Sequence, residues 1–262
     1  MLRDITIGQY YSVDSPVHRM DPRFKIMASM FYLVSLFLIQ NMWAYGVVVS
    51  LVGIVIYKSK VPVKYVLRGL KPVFMLIIFA FLLNIFLTPG DEKISFWFLS
   101  ISIEGISRAF FMAFRLILLI IGTSLLTLCT SPIELTDGIE YLLNPMKRIG
   151  LPAHELAMMM TIALRFIPTL LEETDKIMKA QMARGADFES GNIMTRAKAL
   201  IPLLVPLFIS AFRRADELAM AMEARCYRGG EGRTRLKVLK YSKLDAVGAL
   251  IIIVYFVICI FI

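Results

Sequence analysis

Two arginines in the sequence share one local context and could each bind a carboxylate group. Arg184 lies in residues 180–185 and Arg225 lies in residues 221–226, and both copies read Ala-x-x-Ala-Arg. A guanidinium presents a planar fork of N–H donors that can hold a carboxylate through two hydrogen bonds. An internal repeat usually reports one structural unit used twice. The repeat therefore predicts two equivalent ends for binding acidic groups on a partner.

Each arginine is preceded by a long amphipathic helical pattern. Upstream of the two copies, apolar residues recur every three or four positions: Leu164, Ile167, Leu171, Met178 and Met182, then Phe208, Phe212, Ala215, Ala219 and Met222. Gly185 follows the first arginine directly and Gly229-Gly230 follow the second by a few residues. This predicts that each arginine sits in a last helical turn, where a cation is favoured beside unpaired carbonyls. An ordinary helix end has the same features. Either arginine could therefore be a plain helix end with no binding role, and this alternative stays open.

The composition indicates an integral membrane protein without its own catalytic centre. The 262 residues are 58% hydrophobic, against roughly 45–50% in soluble domains. Cys129, Cys226 and Cys259 are far apart and His18 and His154 have no ligand spacing, so no metal site is predicted. The sequence contains no phosphate-binding loop and no catalytic grouping, so we expect no cofactor, no nucleotide binding and no enzymatic activity. The net charge of +9 is attributed to membrane topology rather than to nucleic acid.

Five transmembrane helices are predicted from the apolar segments and the charges beside them. Residues 26–57 are too many for one span of about 20 residues, and basic residues flank both ends. This segment is therefore predicted to be a hairpin of two helices that turns near Gln40-Asn41, with both ends cytoplasmic. The other three spans are predicted at residues 72–87, 105–128 and 244–262.

The region before the last span is predicted to be a cytoplasmic coupling domain. It contains more than half of the 29 lysines and arginines. Its two apolar runs, 154–167 and 199–212, have the length of buried or interfacial helices rather than of spans. Three long amphipathic helices are predicted at roughly 132–148, 153–185 and 193–227.

The predicted fold class is thus an all-α integral membrane protein in three consecutive parts. The parts are a membrane domain of four spans at 1–128, the coupling domain at 129–243 and a final span at 244–262. The predicted location is the cell membrane, with the N-terminus and the coupling domain in the cytoplasm and lipid around the spans.

Several other residues are candidates for contacts with a partner. Methionine side chains re-pack at low cost and suit an adaptable docking surface, although core packing is their default role. The methionines in question are Met158, Met159, Met178, Met182 and Met222. Arg115 lies within the fourth predicted span, where a charge is costly unless it faces protein or reaches an interface. Arg165 is a further candidate in the coupling domain.

The sequence resembles the transmembrane T component of energy-coupling factor transporters, the CbiQ-like family called EcfT. The resemblance rests on Asp21-Pro22-Arg23-x-Lys25, residues 164–168, Ala183-Arg184-Gly185 and residues 221–227, and it extends almost from end to end. It implies a non-catalytic subunit of an importer of a vitamin or micronutrient. The implied partners are two related ABC-type ATPases, which bind the ATP, and a membrane-embedded substrate-binding S component.

The resemblance also implies a role for the two repeated segments, which would dock into grooves on the ATPases. Their docking residues would be Ala183, Arg184 and Gly185 in the first copy and Ala224, Arg225 and Cys226 in the second. Many family members have glycine where this chain has Cys226, and a cysteine is less free to adopt a positive φ.

Two alternatives stay open at the level of sequence. The chain could be the T component of a dedicated cobalt or nickel importer, because another subunit would choose the substrate. It could also be a polytopic membrane enzyme acting on lipid, with Arg115, Arg165 and nearby acidic residues as its site. The transported substrate is not encoded in any motif of this chain.

Overall fold

The computed structural model describes most of the chain, namely residues 10–39, 41–87, 93–96, 99–188, 192–230 and 238–261. The described chain is largely helical and divides into two compact units. The membrane unit comprises the described residues up to Leu142 and those from Val238 onward. The motif unit comprises the described residues from Leu143 to Gly230 and carries both arginine repeats.

The membrane unit contains the helices at the five predicted spans. They are α1 (Pro22–Leu38), α2 (Met42–Ser59), α4 (Phe74–Leu87), α5 (Ile103–Cys129) and α10 (Lys243–Phe261), and the short helix α3 (Val63–Arg68) lies between α2 and α4. The hairpin predicted over 26–57 is α1 and α2, although Gln40 at its turn lies outside the described residues. Asp21 caps α1 by accepting a hydrogen bond from the Arg23 N–H at 2.9 Å, and Pro22 begins the helix.

A short antiparallel hairpin, which the sequence did not predict, precedes α5. Strand β1 (Lys93–Phe96) pairs with β2 (Leu99–Ser102), with Lys93 opposite Ser102 and Phe96 opposite Leu99. Residues 88–92, where the third span was predicted to stop, lie outside the described residues. The hairpin is small, and the fold class is all-α, as predicted.

The core of the membrane unit lies where α1, α2, α5 and α10 meet. Tyr32 of α1 donates a hydrogen bond to the Leu118 carbonyl of α5 at 2.7 Å. Ser35 of α1 shares a hydrogen bond of 2.6 Å with the Tyr255 hydroxyl of α10. A Cβ atom on Gly122 would lie 2.1 Å from the Tyr32 ring, so only glycine allows α1 and α5 to approach this closely. These contacts join the first, fourth and last predicted spans in one core.

The helix after α5 ends earlier than the sequence predicted. Helix α6 (Pro132–Leu143) stops where a 3₁₀ segment, Asn144–Ile149, begins, whereas one helix was predicted over 132–148. Pro145 explains the change, because its ring has no N–H and clashes with the carbonyl four residues earlier. Most of α6 belongs to the membrane unit. The predicted domain boundaries fall at 128/129 and 243/244, whereas the two compact units divide at 142/143 and 236/237. The domain boundaries stay predictions.

The motif unit is built around two long helices. They are α7 (Ala153–Ala183) and α9 (Ile201–Ala224), and the short helix α8 (Ile193–Ala199) precedes α9. The prediction of a single helix over 193–227 was wrong, because the helix is interrupted at Leu200. Pro202 lies in the first turn of α9, where a missing N–H costs nothing, but it could not continue α8.

Four helices of the described chain are long and apolar enough to cross a membrane: α2, α5, α7 and α10. Helices α1 and α4 are shorter, at 17 and 14 residues. The inclusion of α7 differs from the prediction of a cytoplasmic helix. The apolar run 154–167 forms its first part, and the helix continues without a break past Pro168 to a length of 31 residues, close to the helix predicted over 153–185.

Candidate functional site

The first arginine motif, Ala183-Arg184-Gly185, forms a regular C-terminal cap on α7. Gly185 adopts a left-handed conformation with φ 89°. Its N–H donates to the Met182 carbonyl at 2.9 Å, and the N–H of Ala186 reaches back to Gln181 at 3.0 Å. These two bonds are those of a Schellman motif, which occupies the last carbonyls of a helix. Arg184 is the cap residue itself and its side chain is exposed.

The second arginine motif, Ala224-Arg225-Cys226, forms the same cap on α9. The N–H of Cys226 donates to Glu223 at 2.8 Å and the N–H of Tyr227 reaches back to Met222 at 3.0 Å. Cys226 takes the left-handed conformation, with φ 56°. The substitution of cysteine for glycine therefore does not change the backbone geometry, although a side chain in this region costs about 1–2 kcal/mol. Arg225 is the exposed cap residue.

The two motifs lie at opposite ends of an antiparallel helix pair. Gln181, near the end of α7, donates to the Pro202 carbonyl at the start of α9 at 3.3 Å. Further along, Glu173 of α7 accepts a hydrogen bond from Ser210 and forms an ion pair with Arg214 of α9 at 3.1 Å. Because α9 has 24 residues, the two arginines are about 35 Å apart at 1.5 Å per residue.

The two arginines are also chemically alike in their surroundings. In the part of the chain that the structure describes, neither Arg184 nor Arg225 has an ion pair or a side-chain hydrogen bond. Backbone carbonyls at a helix end concentrate negative potential, which favours a guanidinium there. A carboxylate from another molecule would bind that guanidinium more strongly than these carbonyls do. The arrangement can therefore hold two acidic groups at two separated points.

Comparison with known proteins places the chain in a family. The model of the family CbiQ, described as cobalt transport protein, matches residues 14–236. The chain belongs to the CbiQ/EcfT family. The energy-coupling factor transporter transmembrane protein EcfT of Clostridium kluyveri is 62% identical over 252 residues, which cover 95% of this chain and 93% of the relative.

Two further relatives give the same result. The proteins named EcfT from Acidaminococcus fermentans and Ruminiclostridium cellulolyticum are 55% and 57% identical, covering 100% and 97% of this chain and 97% and 96% of their own lengths. The predicted family resemblance is confirmed. The chain is a multi-pass membrane protein of a transport system, and its part in that system is non-catalytic.

The methionine candidates lie along α7 and α9 and differ in exposure. Met159 and Met182 are exposed, by 55% and 49%, while Met158, Met178 and Met222 are half-buried. The half-buried methionines pack within the unit in part, so the exposed pair offers more surface to a partner. Whether any of the five binds a partner stays a prediction.

The two arginine candidates outside the motifs belong to different units. Arg115 of α5 donates to the Tyr45 hydroxyl at 3.1 Å and to the Ile39 carbonyl at 3.0 Å. Arg115 thus provides a hydrogen bond to the carbonyl at the end of α1. These contacts offset the cost of placing a charge within a span. Arg165 is exposed on α7 in the motif unit. A partner contact for either residue stays a prediction.

The sequence did not reveal that the Asp21-Pro22-Arg23-x-Lys25 segment is buried. Asp21 and Arg23 form an ion pair at 2.7 Å with 1% and 4% of their side chains exposed. The Arg23 guanidinium lies 4.2 Å and 4.1 Å from the ring centroids of Tyr141 and Tyr241. The sequence predicted no burial for these residues, yet they connect α1 with the elements at the start of α10 and the end of α6.

Two further contacts complete this buried charge cluster. Asp245 of α10 accepts a hydrogen bond from the Asp21 N–H at 2.8 Å. The Lys25 Nζ donates to the carbonyls of His18 and Cys129, both at 3.0 Å, so a cation caps the end of α5. Every charge in the cluster has a defined partner, as buried charges require.

The environment shifts the pKa of two groups next to the membrane helices. Burial acts to raise the pKa of Asp21, but hydrogen bonds from Arg23 outweigh it and the pKa lies below its usual range. Burial lowers the pKa of His18, partly opposed by its hydrogen bond to the Tyr11 carbonyl. Both groups therefore keep their neutral-pH forms, a charged Asp21 and an uncharged His18. Neither belongs to the arginine motifs.

Proposed function

We propose that the chain is the coupling T subunit of an energy-coupling factor importer, transmitting ATP-driven motion of two ATPase subunits to a substrate-binding S component. The observation that carries this proposal is the pair of matching helix ends, with exposed Arg184 and Arg225 about 35 Å apart. Two like ends suit two similar subunits. The relatives' names, which describe transmembrane proteins of energy-coupling factor transporters, support the same role.

Each arginine motif would dock on one ATPase as a capped helix end. The Schellman cap occupies the last carbonyls, so the end can be buried in a groove without leaving backbone groups unpaired. The arginine would form a charge-assisted contact with a carboxylate in that groove. A push on one end of the antiparallel pair would be carried along a rigid helix, because Glu173, Arg214 and Ser210 fix α7 against α9.

An exposed apolar face on α9 supports a further contact with the S component. It is more than 40% exposed at each of six positions with helical spacing: Ile201, Leu204, Val205, Phe208, Ile209 and Phe212. A contiguous apolar face of this kind marks a protein or membrane contact. A membrane-embedded subunit resting on α9 would receive the movement of both arginine ends.

For this role the motif unit must lie in the cytoplasm, where ATP is available. The lysine and arginine distribution supports that orientation. A single cysteine introduced at exposed Asn192 in a cysteine-free background is expected to resist a membrane-impermeant thiol reagent in intact cells. Labelling of that cysteine in intact cells, with labelling after lysis as the control, would contradict the proposed orientation.

Substrate uptake in vesicles tests the central proposal. Arg184→Ala and Arg225→Ala should each reduce uptake, and the double variant should abolish it and release the ATPases from the tagged chain. Each docked end raises the effective concentration of the other, so the double loss exceeds the sum. Lysine should restore only part of the activity, since it lacks the planar fork.

The matched control is the double variant Arg196→Ala/Arg213→Ala. It removes two exposed arginines of the same unit that do not cap a helix end in either motif. This control should keep its ATPases and its uptake. Wild-type uptake with bound ATPases in the Arg184/Arg225 double variant would show that these residues are ordinary helix ends.

A vitamin or another micronutrient is the proposed cargo, and the description of the family as cobalt transport protein favours a cobalt or nickel importer as the second candidate. In the described part of the chain, no three histidine, cysteine or acidic side chains converge on a metal site. The cargo would therefore be chosen by another subunit in either case. Copurification from native membranes, with identification of the bound membrane subunit, separates the two candidates.

A further inference from the structure

We propose that the membrane unit binds one anionic phospholipid, with an acyl chain in a cavity between α1, α2, α5 and α10 and the phosphate at Lys58. The cavity has a volume of about 220 Å³. Its walls are almost wholly apolar, and they include Ala28, Val55, Leu126 and Ile252. Lys58 lies at its rim and is exposed in the last turn of α2.

The cavity occupies one end of the helix bundle and hence one leaflet. Its lining residues come from the first half of α1, the last half of α2, the last part of α5 and the first half of α10. These helix ends lie together, because Lys25 at the start of α1 binds the Cys129 carbonyl at the end of α5. The Asp21 N–H likewise binds Asp245 at the start of α10. A lipid of that leaflet would have its headgroup at Lys58 and its chain in the cavity.

The exposure of the cavity walls favours lipid as the occupant. Ile54 and Ile251 line the cavity and are 56% and 46% exposed, so the cavity is open to the surrounding hydrocarbon. An acyl chain lying along these apolar walls would make dispersion contacts with them.

The charge beside the cavity favours an anionic headgroup. Lys58 is followed along the chain by exposed Lys60 and Lys64. The nearby carboxylate Asp14 is already paired with Arg19. Basic side chains beside a bilayer surface attract anionic lipid. A zwitterionic lipid would fill the cavity equally well but would gain less from Lys58.

The test measures lipid retained by the full-length chain. The chain is reconstituted into vesicles of equal parts phosphatidylglycerol and phosphatidylcholine, extracted in mild detergent, and its retained lipids are quantified by mass spectrometry. We expect retained phosphatidylglycerol to exceed phosphatidylcholine severalfold in the wild type. Ala28→Phe, which fills the cavity, should lose the retained lipid. Lys58→Gln should keep a lipid but lose the preference for phosphatidylglycerol.

Two matched controls separate the site from general effects. Ala246→Phe adds the same side chain at an exposed position of α10 outside the cavity, and Lys71→Gln removes an exposed lysine that does not line it. Both should retain lipid as the wild type does. Equal retention in the wild type, Ala28→Phe and Lys58→Gln would overturn the proposal. Unchanged lipid in Ala28→Phe together with loss of a copurifying membrane subunit would instead assign the cavity to that subunit.

Discussion

The membrane unit and the motif unit use arginine in opposite ways. Arg23 is buried in the membrane unit, where it is ion-paired with Asp21 and lies against two tyrosine rings. Arg184 and Arg225 are exposed at the ends of α7 and α9. A buried charge must be satisfied within its own chain, whereas an exposed charge on a rigid helix end is available to another molecule. The contrast shows that position, and not residue type, separates the buried, stabilising arginine from the exposed arginines for which docking is proposed.

The largest expected effect on stability comes from Arg23. Arg23→Ala leaves the buried Asp21 carboxylate unpaired and should lower the free energy of unfolding by about 3–5 kcal/mol. Arg19→Ala is the matched control, because Arg19 pairs with Asp14 while about two-thirds of each side chain is exposed. The control should change the free energy of unfolding very little, because exposed ion pairs contribute little to stability. Denaturant titration in detergent, followed by circular dichroism, measures both, and equal losses would remove the contrast between buried and exposed arginines.

A smaller effect is expected from exchanging the residues that follow the two arginines. Cys226→Gly should raise the free energy of unfolding of the motif unit by about 1 kcal/mol, because it removes a side chain from a left-handed residue. Gly185→Cys should lower it by a similar amount. A Cβ on Gly185 would meet nothing within 4 Å, so the second change isolates backbone strain. Shifts of the same sign in the two variants would show that the two caps are not equivalent.

The smallest effect on stability is expected from Arg184 and Arg225, the arginines for which docking is proposed. Arg184→Ala and Arg225→Ala should each change the free energy of unfolding by no more than about 0.5 kcal/mol, as is usual for exposed side chains. Arg214→Ala serves as the comparison, because it breaks the ion pair with Glu173 between α7 and α9, and it should cost more. The same titration measures all three. A loss at Arg184 or Arg225 as large as that at Arg23 would mean that these arginines stabilise the fold.

The helix ends of the motif unit were predictable from sequence because their signals are local. The glycine after Arg184 and the end of the apolar pattern fix where α7 stops, and the second repeat does the same for α9. Pro202 indicates the interruption of the helix at Leu200, but this proline was predicted to lie inside a single helix. Cys226 carries no signal for a left-handed conformation. It takes that conformation because the carbonyls at the end of α9 are occupied by the N–H groups of Cys226 and Tyr227.

The buried charges of the membrane unit were not predictable in the same way. Arg23 and Lys25 precede an apolar segment, as lysines and arginines at a cytoplasmic boundary usually do. Asp21 and His18 are local partners, but the other contacts, at Tyr141, Tyr241 and Cys129, are distant in sequence. No pattern along the chain connects these positions. The same holds for Arg115, whose partners on Ile39 and Tyr45 belong to an earlier helix pair.

The sequence by itself determined that this protein is a helical membrane protein with two repeated arginine ends. Hydrophobic length, charge placement and helix-stop residues act within a few positions of one another, and their physical effects need no distant partner. Only the tertiary structure decided that the ends lie about 35 Å apart and that Arg23 is buried while Arg184 is exposed. The reason is that separation and burial depend on which helices pack together, and that packing is set by contacts between residues far apart in the chain.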